Sequence, residues 1–300
     1  LMPLMSHNFS GNTIMSNLFN LSNYPNRRTA LKIALGVGYA AAVMPIMAQT
    51  EVKTSNEGLR TGESTVEVDK FSVPFYFAAP KDAKNCPVVL VIQEIFGVHE
   101  HIADVCRRFA KAGYLAIAPE LFARQGDPSQ YGEIAKLMAE IVSKVPDAQV
   151  MADLDGVLQW AGINGGDLKK TAITGFCWGG RITWLYSAHN PSIKAGVAWY
   201  GRLVGTASPL TPKHPVDIAK DLKVPVLGLY GGQDTGIPLA TVEQMKTALG
   251  KNADNNRSQF VIYPDAPHAF HADYRPSYRK EAAEDGFKQA LAWFKKHGAA

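Results

Sequence analysis

The stretch Thr171-Ala172-Ile173-Thr174-Gly175-Phe176-Cys177-Trp178-Gly179-Gly180-Arg181 decides how the rest of the chain is read. Thr171–Phe176 is β-branched and apolar, the composition of a strand buried on both faces. Arg181–Ala188 reads as a helix. Between them lies the G-x-S-x-G strand–turn–helix elbow with sulfur in place of oxygen. So sharp a turn leaves no room for side chains beside the nucleophile, which accounts for Gly175 and Gly179. It also sets Cys177 at a helix N-terminus, where the dipole and free amides favour thiolate over thiol. A structural cysteine in a glycine-rich turn has the same local look, so the decision passes to its partners.

Outward from this stretch, strand and helix alternate. Val88–Ile92 is an unbroken apolar run, and Tyr114–Ala118, Ala195–Tyr200, Val224–Tyr230 and Phe260–Tyr263 are further strand candidates. Helical spacing marks His101–Ala112, which ends before Gly113, and also Ile134–Val142, Val150–Trp160, Leu239–Leu249 and Ala282–Lys296. Thr65–Val68 and Val73–Ala78 read as an opening strand pair. The pattern predicts an α/β fold over residues 65–300, with a mostly parallel central sheet and helices on both faces. Sites in such folds form at the carboxyl ends of strands. Two reactive residues fall there: Asp234 in Tyr230-Gly231-Gly232-Gln233-Asp234, and His268 in Asp265-Ala266-Pro267-His268. Alone, Asp234 suits an Asx turn and His268 is one loop histidine among 8. Together they follow Cys177 in the order nucleophile, acid, histidine used by α/β-hydrolases, which selects a Cys-His-Asp triad.

Composition sets the outer bounds. The chain has 300 residues, 46% hydrophobic and 19% charged, enough apolar material for a large core. Its 3 cysteines exclude a disulfide framework. Of the formal net charge of +4, most sits in residues 1–48, which hold Arg27, Arg28 and Lys32 and no acid. The remainder is close to neutral, so no nucleic-acid partner is expected. Arg27-Arg28-Thr29-Ala30-Leu31-Lys32, followed by the apolar run Ile33–Ala48, has the anatomy of a twin-arginine export signal. The run is too short to span a bilayer. Residues 1–48 are therefore expected to be a cleaved signal, cut after Ala48 or, failing that, after Ala42. Met2, Met5 and Met15 are possible starts, Met15 giving the most ordinary charged region. Residues 49–64 read as a linker, and the mature protein as periplasmic or secreted, meeting the export machinery only transiently and monomeric thereafter.

Several longer motifs carry a resemblance. Gln93-Glu94-Ile95-Phe96-Gly97-Val98, Ala118-Pro119-Glu120-Leu121-Phe122-Ala123-Arg124-Gln125, the Gly175–Gly180 elbow and the Asp234 and His268 loops resemble, in order, the dienelactone hydrolase (carboxymethylenebutenolidase) family over residues 65–296. The resemblance implies an α/β-hydrolase fold and cofactor-free hydrolysis of an enol-lactone or related ester. It implies that Glu94 pairs with the resting thiol until substrate displaces it, since a carboxylate beside a thiol disfavours thiolate. It also implies that the backbone N–H groups of Ile95 and Trp178 form the oxyanion hole and that Arg124 binds a substrate carboxylate. The family enzyme acting on dienelactone has a serine directly after the histidine and an arginine four residues after it. Here those positions hold Ala269 and Ala272, so half of the carboxylate clamp is missing, with His271 and Arg275 the nearby candidates to supply it.

Trp178, Trp199, Tyr200 and Phe270 read equally as pocket lining or core packing. His99, His101 and Asp104 diverge in direction and do not make a metal site; no metal is expected. Cys86 and Cys106 are packed thiols whose pairing in an oxidising compartment stays open. The reading is a hydrolase that opens a lactone or cleaves an ester through a thioester on Cys177, taking a small-molecule substrate. A general carboxylesterase, a thioester or peptide hydrolase, and an idle binding protein on the same scaffold are the rivals.

Overall fold

The computed structural model describes residues 51–252 and 257–300; the export signal read into residues 1–48 lies outside them. Two ten-residue strands come first, β1 (Leu59–Val68) and β2 (Phe71–Pro80). They are joined by Asp69 and Lys70, both at positive φ (50° and 64°), the geometry that lets a two-residue turn follow the twist of its strands. There follow β3 (Cys86–Ile92), α1 (Glu100–Lys111), β4 (Leu115–Pro119), α2 (Ile134–Glu140), α3 (Asp147–Ile163), β5 (Gly166–Phe176) and α4 (Trp178–His189). The remainder is β6 (Ala195–Trp199), α5 (Pro215–Ile218), β7 (Val226–Gly231), α6 (Leu239–Leu249), β8 (Gln259–Tyr263) and α7 (Lys280–Lys296).

These strands form one sheet of eight in the order β1-β2-β4-β3-β5-β6-β7-β8. The β1–β2 and β2–β4 pairings are antiparallel and all the others parallel. Because β3 is apolar on both faces, it takes a layer of helices on each side. Val88, Leu90 and Ile92 face Val150, Leu154 and Val157 of α3, Ile182 and Leu185 of α4, and Val242 and Met245 of α6. Val89 and Val91 face Ile102, Val105 and Phe109 of α1 and Trp293 and Phe294 of α7. From β3 the chain passes to β4 on one side, then returns to β5 on the other. The strand order therefore reverses between β3 and β5, and it is beyond the carboxyl ends of such strands that ligands bind in open α/β sheets.

Of the boundaries that differ from the sequence reading, three are instructive. The stretch 49–64 is not a free linker, since β1 begins at Leu59 and pairs with β2 throughout. Upstream, the Thr54 amide and hydroxyl donate to Asp104 (2.6 and 3.1 Å), and Arg107 donates to the Thr54 carbonyl at 3.1 Å. As the sheet's edge, β1 needs no apolar face, so Leu59–Ser64 carries no hydrophobic signal. Helix α2 ends at Glu140 and a 3₁₀ turn takes over at Val142–Lys144. Strand β5 starts at Gly166 rather than Thr171, across an irregularity in β3 at Pro87 and Val88. Cys86 and Cys106 are both free and buried, and they lie against opposite faces of the sheet, which keeps them from pairing.

Candidate active site

Only Cys177 separates the end of β5 from the start of α4, and the whole reversal falls on it, at φ 55° and ψ −111°. An L-residue is rarely held there, and such strain gathers at functional sites. A Cβ on Gly175 would lie 2.2 Å from the Gly179 carbonyl oxygen, and one on Gly179 would lie 2.5 Å from the carbonyl oxygens of Ile92 and Gln93. The glycines are thus a steric requirement of the elbow. Cys177 N–H donates to the Trp199 carbonyl at 3.0 Å, tying the turn to β6. Trp178 opens the helix, and its amide is one of the first four that have no intrahelical acceptor. The contact of Gly179 with Ile92 and Gln93 lays the Gln93–Ile95 segment against the elbow.

Asp234 and His268 come from the loops after β7 and β8. These loops are bound to each other: Gly232 N–H donates to the Tyr263 carbonyl (2.8 Å) and Gln233 N–H to the Ala266 carbonyl (3.0 Å). Asp234 fills both roles its sequence context allowed. Its Oδ1 accepts from the amides of Gly236 and Ile237 (2.9 and 3.0 Å), an Asx turn, while Oδ2 lies 2.7 Å from His268 Nδ1. Cys177 is the second group, after Asp234, whose electrostatics act on the His268 ring. Burial works against the charged imidazolium, but the hydrogen bond to Asp234 and the negative charges of Asp234 and Cys177 outweigh it and raise the His268 pKa to about 10. The imidazole side chain keeps 33% of its exposure, so it is reachable from solvent.

Glu94 differs from the expectation. It is 1% exposed, its Oε2 accepts from the Tyr274 hydroxyl at 2.8 Å, and its Oε1 has no hydrogen-bond partner among the described residues. No chemical spacing in the sequence singled out Tyr274. Tyr200 sits at φ 38° with its ring edge-to-face on His268, centroids 5.2 Å apart, and so braces the imidazole. Trp178 packs its ring on Phe122, centroids 4.7 Å apart.

Other candidates are corrected by depth. Trp199 is 0% exposed, and its indole N–H donates to Thr174 Oγ1 at 3.0 Å. Phe270 is equally buried between Tyr200 and Tyr263. Both are core residues, not pocket lining. His271 is sandwiched between Phe176 and Trp199, and burial pushes its pKa well below the ordinary histidine value, so it is no cation for a carboxylate. Arg124 is already committed: its guanidinium meets Asp153 Oδ2 at 2.5 Å and the Val68 carbonyl at 3.0 Å, over the Phe71 ring. Arg275 remains near the site, stacked over Phe96, with its charge felt by Tyr200 and Tyr274. His101 and Asp104, weighed above as metal ligands, are engaged in ion pairs with Asp273 and with Arg107 and Arg108.

The chain is similar to proteins of one known family. Residues 73–298 match the model of the dienelactone hydrolase family. A protein of Methylorubrum extorquens to which carboxymethylenebutenolidase activity is ascribed is 57% identical over 279 residues, covering 92% of this chain and 94% of its own. A counterpart from Escherichia coli, similarly ascribed, is 55% identical over 262 residues, covering 87% of this chain and 96% of its own. A crystal structure from Klebsiella pneumoniae, of a protein to which dienelactone hydrolase activity is ascribed, superposes with a TM-score of 0.77 at 59% identity. It covers 79% of this chain and 99% of that one.

Proposed function

Because the chain belongs to the dienelactone hydrolase family and is a hydrolase of ester or lactone bonds, we propose that it works through a Cys177-His268-Asp234 triad and a thioester acyl-enzyme. The observation that carries this reading is His268, held at 2.7 Å by Asp234, together with a cysteine strained at positive φ on the elbow between β5 and α4. The sulfur, its proton passed to His268, attacks the acyl carbon, and negative charge collects on the carbonyl oxygen facing the amides of Ile95 and Trp178. As the C–O bond breaks, the imidazolium returns the proton to the departing alkoxide. Water, deprotonated by His268, then attacks the thioester, releasing the acid and restoring the thiol. In a lactone the alcohol stays tethered, and one hydroxy acid leaves. Asp234 keeps Nδ1 protonated and the ring aimed at the sulfur.

Neutral esters and lactones suit this site better than carboxylate-bearing ones. Arg124 is paired with Asp153, His271 is buried and uncharged, and Ala269 and Ala272 bring no polar group. The proposal extends to export. The acid-free leader with Arg27-Arg28 supports delivery of a monomeric enzyme to the periplasm or beyond. Among the described residues no helix is long and apolar enough to cross a membrane.

Mixing the enzyme with an activated neutral ester and measuring intact mass tests the chemistry. An acyl adduct that maps to Cys177 and is missing from Cys177→Ala is expected. A Cys177→Ala variant that still turns over ester would refute the assignment.

A further inference from the structure

Gln93 and Glu120 are polar side chains beside the elbow that the triad does not use. Gln93 is the first residue after β3 and is 0% exposed. Its Oε1 accepts from the Leu121 amide at 3.2 Å. Its main-chain carbonyl packs on the opposite side against Gly179, in the first turn of α4, where a Cβ would lie 2.5 Å from it. Further along, the Val98 amide donates to Glu120 Oε2 at 3.3 Å, and a Cβ on Gly97 would stand 3.2 Å from the same oxygen. The strap 93–98, which carries the Ile95 amide, is thus pinned at both ends to two consecutive residues of the loop after β4.

The pins have a firm base. Glu120 N–H donates to the Pro74 carbonyl of β2 at 2.8 Å, and Leu121 and Phe122 are fully buried. In the sheet β3 lies between β4 and β5. Contact with Gly179 therefore fixes the strap on its β5 side, and the two hydrogen bonds fix it on its β4 side. The Gln93 carbonyl belongs to the peptide just before the one that bears the Ile95 N–H, so a shift of the first turns the second. An oxyanion donor is effective only when it is aimed before the charge develops.

We propose that Gln93 and Glu120 are positioning residues that aim the Ile95 amide at the oxyanion through these two bonds. This rests on Cys177 as the nucleophile and on the Ile95 and Trp178 amides as the oxyanion donors. It deepens that reading by naming what holds one donor in place.

Two probes of Cys177 separate this role from a general loosening. A neutral trifluoromethyl ketone captures the thiol as a tetrahedral adduct: the S–C bond forms, the thiol proton passes to His268, and the carbonyl electron pair becomes an oxyanion. Iodoacetamide alkylates the same sulfur with loss of iodide and creates no oxyanion. Gln93→Met fills similar space without the acceptor, and Glu120→Ala removes the other acceptor. Each should raise the ketone Ki and lower kcat by about 10- to 100-fold, short of the roughly 100- to 1,000-fold for losing an oxyanion donor outright, with KM and the alkylation rate nearly unchanged. Glu120→Gln keeps an acceptor oxygen and should stay at wild-type values. Gly179→Ala, which presses the same strap from the elbow, is the control. Ketone binding that is normal in Gln93→Met and Glu120→Ala but weakened in Gly179→Ala overturns the proposal. So does alkylation that slows in step with kcat, or a Glu120→Gln enzyme as impaired as Glu120→Ala. Should Gln93→Met fail to fold by circular dichroism, Glu120→Ala decides alone. Normal ketone binding in all of these variants overturns instead the oxyanion reading, and tight binding by Cys177→Ala overturns the nucleophile.

Discussion

Gly179→Ala probes the elbow without touching a reactive group. The new methyl would stand 2.5 Å from two carbonyl oxygens, those of Ile92 and Gln93, where ordinary contact begins near 3.4 Å. Neither oxygen belongs to a flexible side chain, so β3 and the elbow must separate by about 1 Å, a displacement that near catalytic groups costs about 100-fold in rate. The change widens the gap between the Trp178 and Ile95 amides and shifts Cys177 relative to His268. Overpacking of this kind also costs about 1–3 kcal/mol of stability. With a neutral phenyl or nitrophenyl ester, kcat should fall about 100-fold while KM moves little, because the loss falls on the transition state. Circular dichroism should show the fold retained. A Gly179→Ala enzyme with kcat within a factor of two of wild type would refute the steric account of the elbow.

The raised His268 pKa has a sign that can be tested. The folded value lies above the unfolded one, so this group's stabilisation is complete below pH 6.5 and is lost as pH rises through about 10. The wild-type Tm should therefore fall across that window more steeply than that of Asp234→Asn, and parallel slopes would contradict the Asp234–His268 coupling. Arg124→Ala strands Asp153 in the interior and should cost about 3 kcal/mol in chemical denaturation, the low end for breaking a buried pair. It should leave the ratio of kcat/KM between a carboxylate-bearing lactone and its methyl ester unchanged, whereas a selective loss on the charged lactone would return the carboxylate-binding role to Arg124. For export, Arg27→Lys with Arg28→Lys should leave precursor in the cytoplasm, and mass spectrometry of periplasmic protein should find residues 1–48 gone; finding Arg27 and Arg28 still attached would defeat the cleaved signal.

What could be read in advance follows from which physical constraints reach the residue level. The elbow was legible because sterics dictate glycine at Gly175 and Gly179 and nothing else fits. Asp234 and His268 were legible because strand ends can be located from apolar runs and the two loops follow them directly. The fully buried β3 announced itself through an unbroken apolar run, whereas the Leu59–Ser64 part of edge strand β1, held largely by backbone pairing with β2, did not. Depth was the main thing hidden. Phe270 and His271 sit near His268 in sequence yet pack inward after the positive-φ Ala269, and Trp199, at the end of β6, is turned into the core with its indole on Thr174. Tyr274 was missed for the complementary reason: a single tyrosine has no spacing rule, and its importance comes from Glu94, 180 positions away in the chain. Arg124 was expected on a substrate carboxylate, whereas its guanidinium meets Asp153 of the same chain.

The burial of Cys86 and Cys106 shapes how this enzyme meets oxidants. A cysteine that solvent can reach is open to oxidation to a sulfenic acid, and a neighbouring thiol commonly rescues such a group by closing a disulfide. Here neither remaining cysteine can do so, because Cys86 and Cys106 are sealed within the two core layers. Rescue must come from a diffusible thiol that reaches Cys177 through the substrate's own route, followed by reductive removal of that cap. Where small thiols are scarce, oxidation proceeds to the sulfinic acid and activity is lost for good, so the working lifetime of the enzyme is set by the redox chemistry of its surroundings as much as by its thermal stability.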